Sequence, residues 1–351
     1  MIERIGKRDG KMECRIARIA GAGVAGSYLH ALLENMGVDL PIYDASKRRG
    51  CTCAFGCFYT FLKEKLSRVG LNVDDYILCR NTGMYLDGVW FDLRNQISID
   101  KPRLVKDLCR DVEPRRLDLS EAAQDSQWTV NATGIPVVPH FVIPTRQYRV
   151  KISGFDPAVN YIYLDNAYVG YAWAFSLDED AEWFHLGAGC VNEDPEVLIR
   201  LLCREYNVRV EKKACCCDRP IRVVSPLNMP MVHGKLVSVG EAGGYVFPLT
   251  GEGIIPAMDS VDLLLEAWGS GSLPDGYAEA SLEYFKENSY QKAVKVWKMM
   301  RTNPQGAWLS GFRFMYRRTR RRAQPKVTLV NGLKLLCILM GVRPATRRQA
   351  R

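Results

Sequence analysis

Cys14-Arg-Ile-Ala-Arg-Ile-Ala20 runs without a break into Gly21-Ala-Gly23-Val-Ala-Gly26, and a helix-like run from Ser27 to Met36 follows. Gly37 ends that run, and the apolar stretch Val38 to Tyr43 leads to Asp44. Strand, glycine turn, helix, strand and acid make one βαβ unit with the dinucleotide-binding fingerprint. Each glycine has a physical task. Gly21 permits the tight turn, Gly23 lets the backbone approach a pyrophosphate, and Gly26 lets helix and strand pack closely. The pyrophosphate would lie at the helix N-terminus, where unpaired N–H groups and the helix dipole favour anions. Asp44 is placed to accept hydrogen bonds from ribose hydroxyls. A GxGxxG alone says little, but between two strands and followed by an acid at this distance it is specific.

Outward from this unit, Ile99-Asp-Lys-Pro-Arg-Leu104 reads as a helix entrance, with Pro102 in the first turn where its missing N–H is tolerated. Val130-Asn-Ala-Thr-Gly134 reads as a buried strand ending in a glycine turn. From about Phe141 to Val224 the texture changes. Gln147–Ile152, Tyr161–Leu164, Gly170–Phe175 and Trp183–Gly189 are short, aromatic and β-branched, and turn signals separate them. They predict a meander of antiparallel strands, with one helix from Pro195 to Tyr206. Lys235–Gly240 is a further parallel strand, running into Gly240-Glu-Ala-Gly and Pro248-Leu-Thr-Gly251-Glu-Gly253-Ile254 and then a helix from Pro256 to Trp268. Helices are expected beyond Ser272. The fold class is therefore α/β. A Rossmann-like domain comes in two parts, 12–140 and 231–268, with an antiparallel-sheet domain, 141–230, inserted between them and a helical, basic region, 269–351, at the end.

The 351 residues are 47% hydrophobic and 25% charged, which excludes a disordered chain and a small disulfide scaffold. No stretch approaches the ~20 apolar residues of a spanning helix, so a polytopic membrane protein is excluded too. The net charge of +9 is unevenly spread. Residues 311–351 contain twelve Lys or Arg and no acid, while the remaining 310 are close to neutral. A basic tail suits an anionic lipid surface or nucleic acid. The body contains no nucleic-acid motif, so no specific nucleic-acid partner is expected even for the arginine run Arg317 to Arg322. Val327 to Val342 is apolar, interrupted by Asn331 and Lys334 and flanked by arginines. It suits either a helix lying in a membrane interface or a terminal helix packed on the core.

Twelve cysteines are many for this length. Met1 to Glu13 is charged and lacks the apolar core of a secretory leader, so a reducing cytoplasm with free thiols is expected. Cys51-Thr-Cys53-Ala-Phe-Gly56-Cys57 and Cys215-Cys-Cys217 fit no standard metal spacing, and no metal is expected.

These motifs resemble the flavoprotein geranylgeranyl reductases of archaea and plants, within the hydroxylase-like FAD superfamily. The Gly21/Gly23/Gly26 fingerprint, Asn131-Ala-Thr-Gly134 and Gly240-Glu-Ala-Gly through Ile254 resemble segments shared across that superfamily. Gly170-Tyr-Ala-Trp-Ala-Phe175 resembles the reductases' own Tyr-x-Trp-x-Phe-Pro signature, with Ser176 in place of proline. The resemblance implies FAD, held by Gly21, Gly23, Gly26, Asp44, Lys101, Thr133, Gly134, Glu241, Pro248, Gly251, Gly253 and Ile254. Glu241 stands where the family has an Asp, and Lys101 where it has an Arg. Cys53-Ala-Phe-Gly56 resembles the family's Cys-Ala-Glu-Gly turn beside the flavin, which makes Cys53 the catalytic candidate, there to tune the flavin, pair with another thiol or relay a proton.

Tyr171, Trp173 and Phe175 alternate and so share one face of a strand. From the residues alone that face is a core layer or the wall of an apolar tunnel, and the resemblance implies the tunnel. The expected activity is FAD-dependent reduction of carbon–carbon double bonds in geranylgeranyl chains of lipids or their precursors. The alternative is an FAD-dependent monooxygenase acting on an apolar or aromatic substrate. No second fingerprint exists, so electrons would come from transiently bound NAD(P)H or a carrier such as ferredoxin. The expected setting is cytoplasmic, with peripheral contact on the anionic inner face of a membrane.

Overall fold

The computed structural model describes residues 16–46, 54–165, 168–178, 183–300, 302–303, 306–307, 331 and 334. The chain opens with β1 (Ile16–Ala20), α1 (Val24–Asn35), β2 (Ile42–Tyr43), β3 (Gly56–Phe58), α2 (Tyr59–Ser67), β4 (Ile77–Leu86) and β5 (Val89–Ile99). It continues through α3 (Lys101–Leu108), α4 (Leu119–Ala123), β6 (Trp128–Asn131), β7 (His140–Ile143), β8 (Thr145–Ser153), β9 (Val159–Asp165) and β10 (Gly170–Ser176). Next come β11 (Trp183–Cys190), α5 (Pro195–Glu205), β12 (Arg209–Asp218), β13 (Ile221–Val224), β14 (Val232–His233) and β15 (Leu236–Ser238). The described elements close with α6 (Ile254–Gly269), α7 (Asp275–Glu287) and α8 (Tyr290–Met300).

The opening βαβ unit forms one side of a five-stranded sheet ordered β14-β15-β6-β1-β2, with β2 at the edge and β6 in the middle. Its pairings are parallel except for the β14 edge, with Ile19 opposite both Ile42 and Val130. Helices α1 and α6 pack on each other, and their Leu29 and Val261 are buried in one core with Ile19 and Val130 of the strands. Helix α1 begins at Val24, three residues before the expected Ser27. Gly26 lies within its first turn, where a Cβ would fall on the Gly21 carbonyl. The second strand is only Ile42–Tyr43, because Pro41 before it has no N–H to donate.

The second sheet has eight strands, ordered β12-β8-β11-β10-β9-β4-β5-β3. Its meander β8–β11 follows the expected strands. The sheet does not start at 141, however. Residues 56–99 supply β3, β4 and β5, and β9 pairs in parallel with β4. Residues placed with the nucleotide-binding part in the sequence thus belong to the antiparallel sheet. The signal was present: Asp87-Gly88, both with positive φ, joins two long strands as a tight hairpin. One face of the sheet is closed by α5 over Val150, Phe184, Leu186 and Ala188. Helix α2 is tied to α6 by Lys65, whose Nζ reaches Asp259 at 2.7 Å and Asp262 at 2.5 Å. Arg317 to Arg322 and nearly all of Val327 to Val342 lie outside the described residues. From the latter, Asn331 donates from Nδ2 to the Trp90 carbonyl at 2.8 Å.

Candidate active site

The glycine turn forms a cradle at the carboxyl end of β1. A Cβ on Gly21 would stand 2.5 Å from the Ala132 carbonyl carbon, so the turn presses directly against the end of β6. Gly23 is different: a Cβ there would meet nothing within 4 Å. The gap lies at the start of α1, whose N-cap is Gly23 itself and has no side-chain cap. The first-turn N–H groups are therefore left for an anion. Asp44 sits beside this gap. Its Oδ2 accepts the Ala22 N–H at 2.8 Å and its Oδ1 accepts the Ser46 N–H at 2.7 Å, which fixes the carboxylate against the turn. Open space, free helix-terminal donors and an anchored acid fit a dinucleotide's pyrophosphate and ribose.

A second uncapped helix start faces the same region. Pro248 to Gly253 folds back on itself through Gly251 N–H to Phe247 O at 2.9 Å and Phe247 N–H to Glu252 O at 2.8 Å. It delivers Gly253 as the N-cap of α6, again with no side-chain cap, and Ile254 begins the helix buried. Gly251, at φ +66°, packs so closely that a Cβ would stand 3.0 Å from Ile221 Cδ1. Thr133 is drawn into its turn by Asn131, whose Oδ1 accepts both the Thr133 N–H and its hydroxyl. Gly134 looks onto Glu241 and Arg219, each 3.4 Å from where its Cβ would be. Glu241 Oε1 accepts the Arg222 N–H at 2.7 Å, and burial raises its pKa. Its longer reach thus ties it to β13, with Oε2 left facing Gly134.

The face of the large sheet away from α5 carries the aromatic row. Tyr171 and Trp173 have ring centroids 5.5 Å apart, and Trp173 and Phe175 stack at 6.4 Å. Opposite them on β11 stand Gly189, Gly187 and His185. A Cβ on Gly187 would lie 2.6 Å from the Trp173 indole, so Gly187 is the space into which that ring lies. Trp173 Nε1 donates to Gln147 Oε1 at 3.2 Å. The Tyr171 hydroxyl donates to the Thr250 carbonyl at 2.6 Å, linking the aromatic row directly to the 248–253 loop. Ser176 donates its N–H to Asn160 Oδ1 at 3.3 Å, a bond that proline at this position could not make.

Beyond Phe175 the row ends in a buried polar corner. His185 meets Phe55 edge-on at 4.3 Å, and the Lys101 ammonium lies 5.3 Å from the Phe55 ring centre. Burial, with the Lys101 and Arg149 charges adding to it, pushes the His185 pKa down to about 3, so the imidazole is neutral. Its Nδ1 has no partner among the described residues. Lys101 is buried at the start of α3, on the aromatic side of the site. Cys53 lies outside the described residues, while Phe55 and Gly56 of the same turn reach His185 and Phe175.

The structure therefore gathers the glycine turn with Asp44, the 248–253 loop with Tyr171, and Gly134 with Glu241. The sequence reading missed His185, Gln147, Phe55 and the steric role of Gly187. The alternating glycines opposite alternating aromatics were a readable sign of the last. The others depended on cross-strand register.

No family model matches the sequence. Among solved structures, the chain is similar to a geranylgeranyl bacteriochlorophyll reductase-like protein from Thermoplasma acidophilum, with a TM-score of 0.67 and 13% identity over 93% of this chain and 96% of that one. It is also similar to a flavin-dependent brominase, as a triple mutant, with a TM-score of 0.60 and 12% identity over 92% and 94%. A 2-methyl-3-hydroxypyridine-5-carboxylic acid oxygenase matches with a TM-score of 0.58 and 14% identity over 89% and 98%. The fold is thus the one that these reductase-like, brominase and oxygenase structures share. At these identities that likeness concerns the fold.

Proposed function

We propose that this chain is an FAD-dependent oxidoreductase that reduces carbon–carbon double bonds in an isoprenoid chain, with geranylgeranyl lipids or their precursors as substrates. FAD, when bound, supplies a two-electron hydride donor. The fit of the chain to that cofactor rests on the Gly23 gap, the two uncapped helix starts and the anchored Asp44. The dipole and first-turn N–H groups of α6 favour negative charge, which suits the electron-rich end of a reduced ring system. Glu241 Oε2 faces the passage between Gly134 and Arg219, where it can accept a hydroxyl.

One observation carries the substrate class: the row Tyr171, Trp173, Phe175, pinned to the 248–253 loop by the Tyr171–Thr250 hydrogen bond and with Trp173 recessed into Gly187. Flat aromatic surface with its polar atoms already bonded presents an apolar wall, and that wall suits an alkene chain. Reduction also needs a proton. Cys53 retains that role through the resemblance of its turn, while the neutral His185 and Lys101 would bound the closed end.

The test is anaerobic. Protein reduced with dithionite is mixed with geranylgeranyl diphosphate or a geranylgeranylated glycerolipid, and products are read by mass spectrometry. Stepwise gain of paired hydrogens with flavin reoxidation is expected. Unchanged lipid and persistently reduced flavin with both substrates would instead favour the oxygen-using reading, which the likeness to an oxygenase supports. That reading predicts rapid NAD(P)H oxidation in air, raised by an aromatic substrate.

A further inference from the structure

Among the described residues, the large apolar side chains that stand out into solvent are Leu227 (72% exposed), Val142 (48%), Met229 (46%), Met299 (39%) and Ile135 (36%). They come from four separate segments, yet they gather around one small ribbon. Val142 lies on β7, directly opposite Arg222 of β13. Leu227 and Met229 occupy the turn that follows β13, and Asn228 ties that turn to β7 by donating from Nδ2 to the Pro139 carbonyl at 2.9 Å. Met299 is on α8, which packs against the same turn and places Trp297 on Phe141 of β7 at 5.5 Å. Ile135 lies in the segment leading to β7, its carbonyl held by Asn131.

The charge around this patch has one sign on its nearest helix. Lys292, Lys295 and Lys298 recur every third residue on the exposed side of α8, which contains no acid. None of the three makes an ion pair among the described residues, and Lys298 lies 5.4 Å from the Phe141 ring centre. The nearest concentration of acids is on α7, at Glu279, Glu283 and Glu287, so binding cannot come from charge alone.

We propose that this patch docks on an anionic lipid bilayer, with Leu227 and Met229 of the turn among the acyl chains and the lysines of the adjoining α8 against the phosphate headgroups. The proposal extends the reading of the site as one that takes lipid chains. The composition separates a bilayer from a protein partner. Protein interfaces concentrate aromatic and arginine anchors and are depleted in lysine, whereas projecting aliphatic chains rimmed by lysine suit a lipid surface. Position supports it too. β13 runs from Ile221, which packs against Gly251 beside the Tyr171 hydroxyl, to the turn that carries Leu227 and Met229. A chain leaving the bilayer at the ribbon therefore arrives at the aromatic row.

The test is sedimentation of the full-length flavin-loaded protein with vesicles of phosphatidylcholine, with and without phosphatidylglycerol. Binding to the phosphatidylglycerol vesicles is expected, and Leu227→Glu with Met229→Glu should weaken it about tenfold or more at unchanged melting temperature. Lys292→Glu with Lys295→Glu and Lys298→Glu should remove the preference for phosphatidylglycerol. Wild-type protein that stays in solution would overturn the proposal. So would a Leu227→Glu/Met229→Glu protein that sediments like wild type, which would assign binding to the basic region 311–351. If light scattering finds a wild-type dimer that this double variant dissolves while vesicle binding is unaffected, the patch joins two copies and the proposal fails. The vesicles contain no isoprenoid chain, so binding is read independently of the proposed reductase activity.

Discussion

At the residue scale, the three glycines of the opening turn do different work, and substitution separates them. Gly26→Ala drives a Cβ onto the Gly21 carbonyl and should cost about 1–3 kcal/mol or more, with a lower melting temperature. Gly23→Ala meets open space at ordinary φ, so stability should change by only about 1 kcal/mol or less while flavin content falls sharply. Visible absorbance and thermal melts on the same preparations read both, and a Gly23→Ala protein with full flavin would refute the cradle. His185 gives a pH prediction. Its folded pKa of about 3 lies below its ordinary 6.5, so below pH 6.5 the unfolded chain binds a proton that the native one refuses. Its contribution to stability is complete above about 6.5 and is lost as pH falls toward 3. His185→Phe keeps a ring against Phe55 and should flatten the fall in melting temperature between pH 6.5 and 4.5. Parallel wild-type and variant profiles would mean that the native imidazole takes up its proton normally. Of these residues the sequence disclosed the glycines, whose spacing is local, and hid His185, whose environment is built by Phe55, Lys101 and Arg149 from three other segments.

At the scale of elements, the informative unit is the β10–β11 pair. Antiparallel register sets Tyr171 opposite Gly189 and Trp173 opposite Gly187, and the Trp173 ring has room only because Gly187 has no side chain. Gly187→Ala should displace the Trp173 indole, break its bond to Gln147 and cost about 1–3 kcal/mol, seen as a lower urea midpoint with altered near-ultraviolet dichroism. Tyr171→Phe removes one hydrogen bond to the Thr250 carbonyl and should cost only about 0.5–1.5 kcal/mol. Its larger expected effect is on turnover, because that bond holds loop and aromatic row together. Strand alternation made the shared face of Tyr171, Trp173 and Phe175 readable in advance. It could not say that the opposite face would be covered by α5 and this one left toward the 248–253 loop.

At the scale of the whole molecule, the two sheets meet around the proposed cofactor site, so a ligand there touches both. Flavin should stabilise the chain by mass action, about 2.7 kcal/mol at a free concentration a hundred times its dissociation constant. Apoprotein titrated with FAD should show a melting temperature that climbs with concentration, and one that stays constant would contradict the cofactor assignment. No helix among the described residues is long and apolar enough to cross a membrane.

The sequence by itself determined the βαβ unit, the meander, the later helix starts and the uneven charge. All of these are written in local spacing: glycine intervals, two-residue alternation and runs of one charge sign. Tertiary structure alone decided that residues 56–99 complete the antiparallel sheet, because sheet membership depends on pairing between distant strands such as β4 and β9. It alone brought Phe55, Lys101 and His185 into one buried corner, and set α8, with Met299 and its lysines, against the turn that carries Leu227 and Met229. Local spacing specifies which way a side chain points from its own element, and only packing specifies what it then faces.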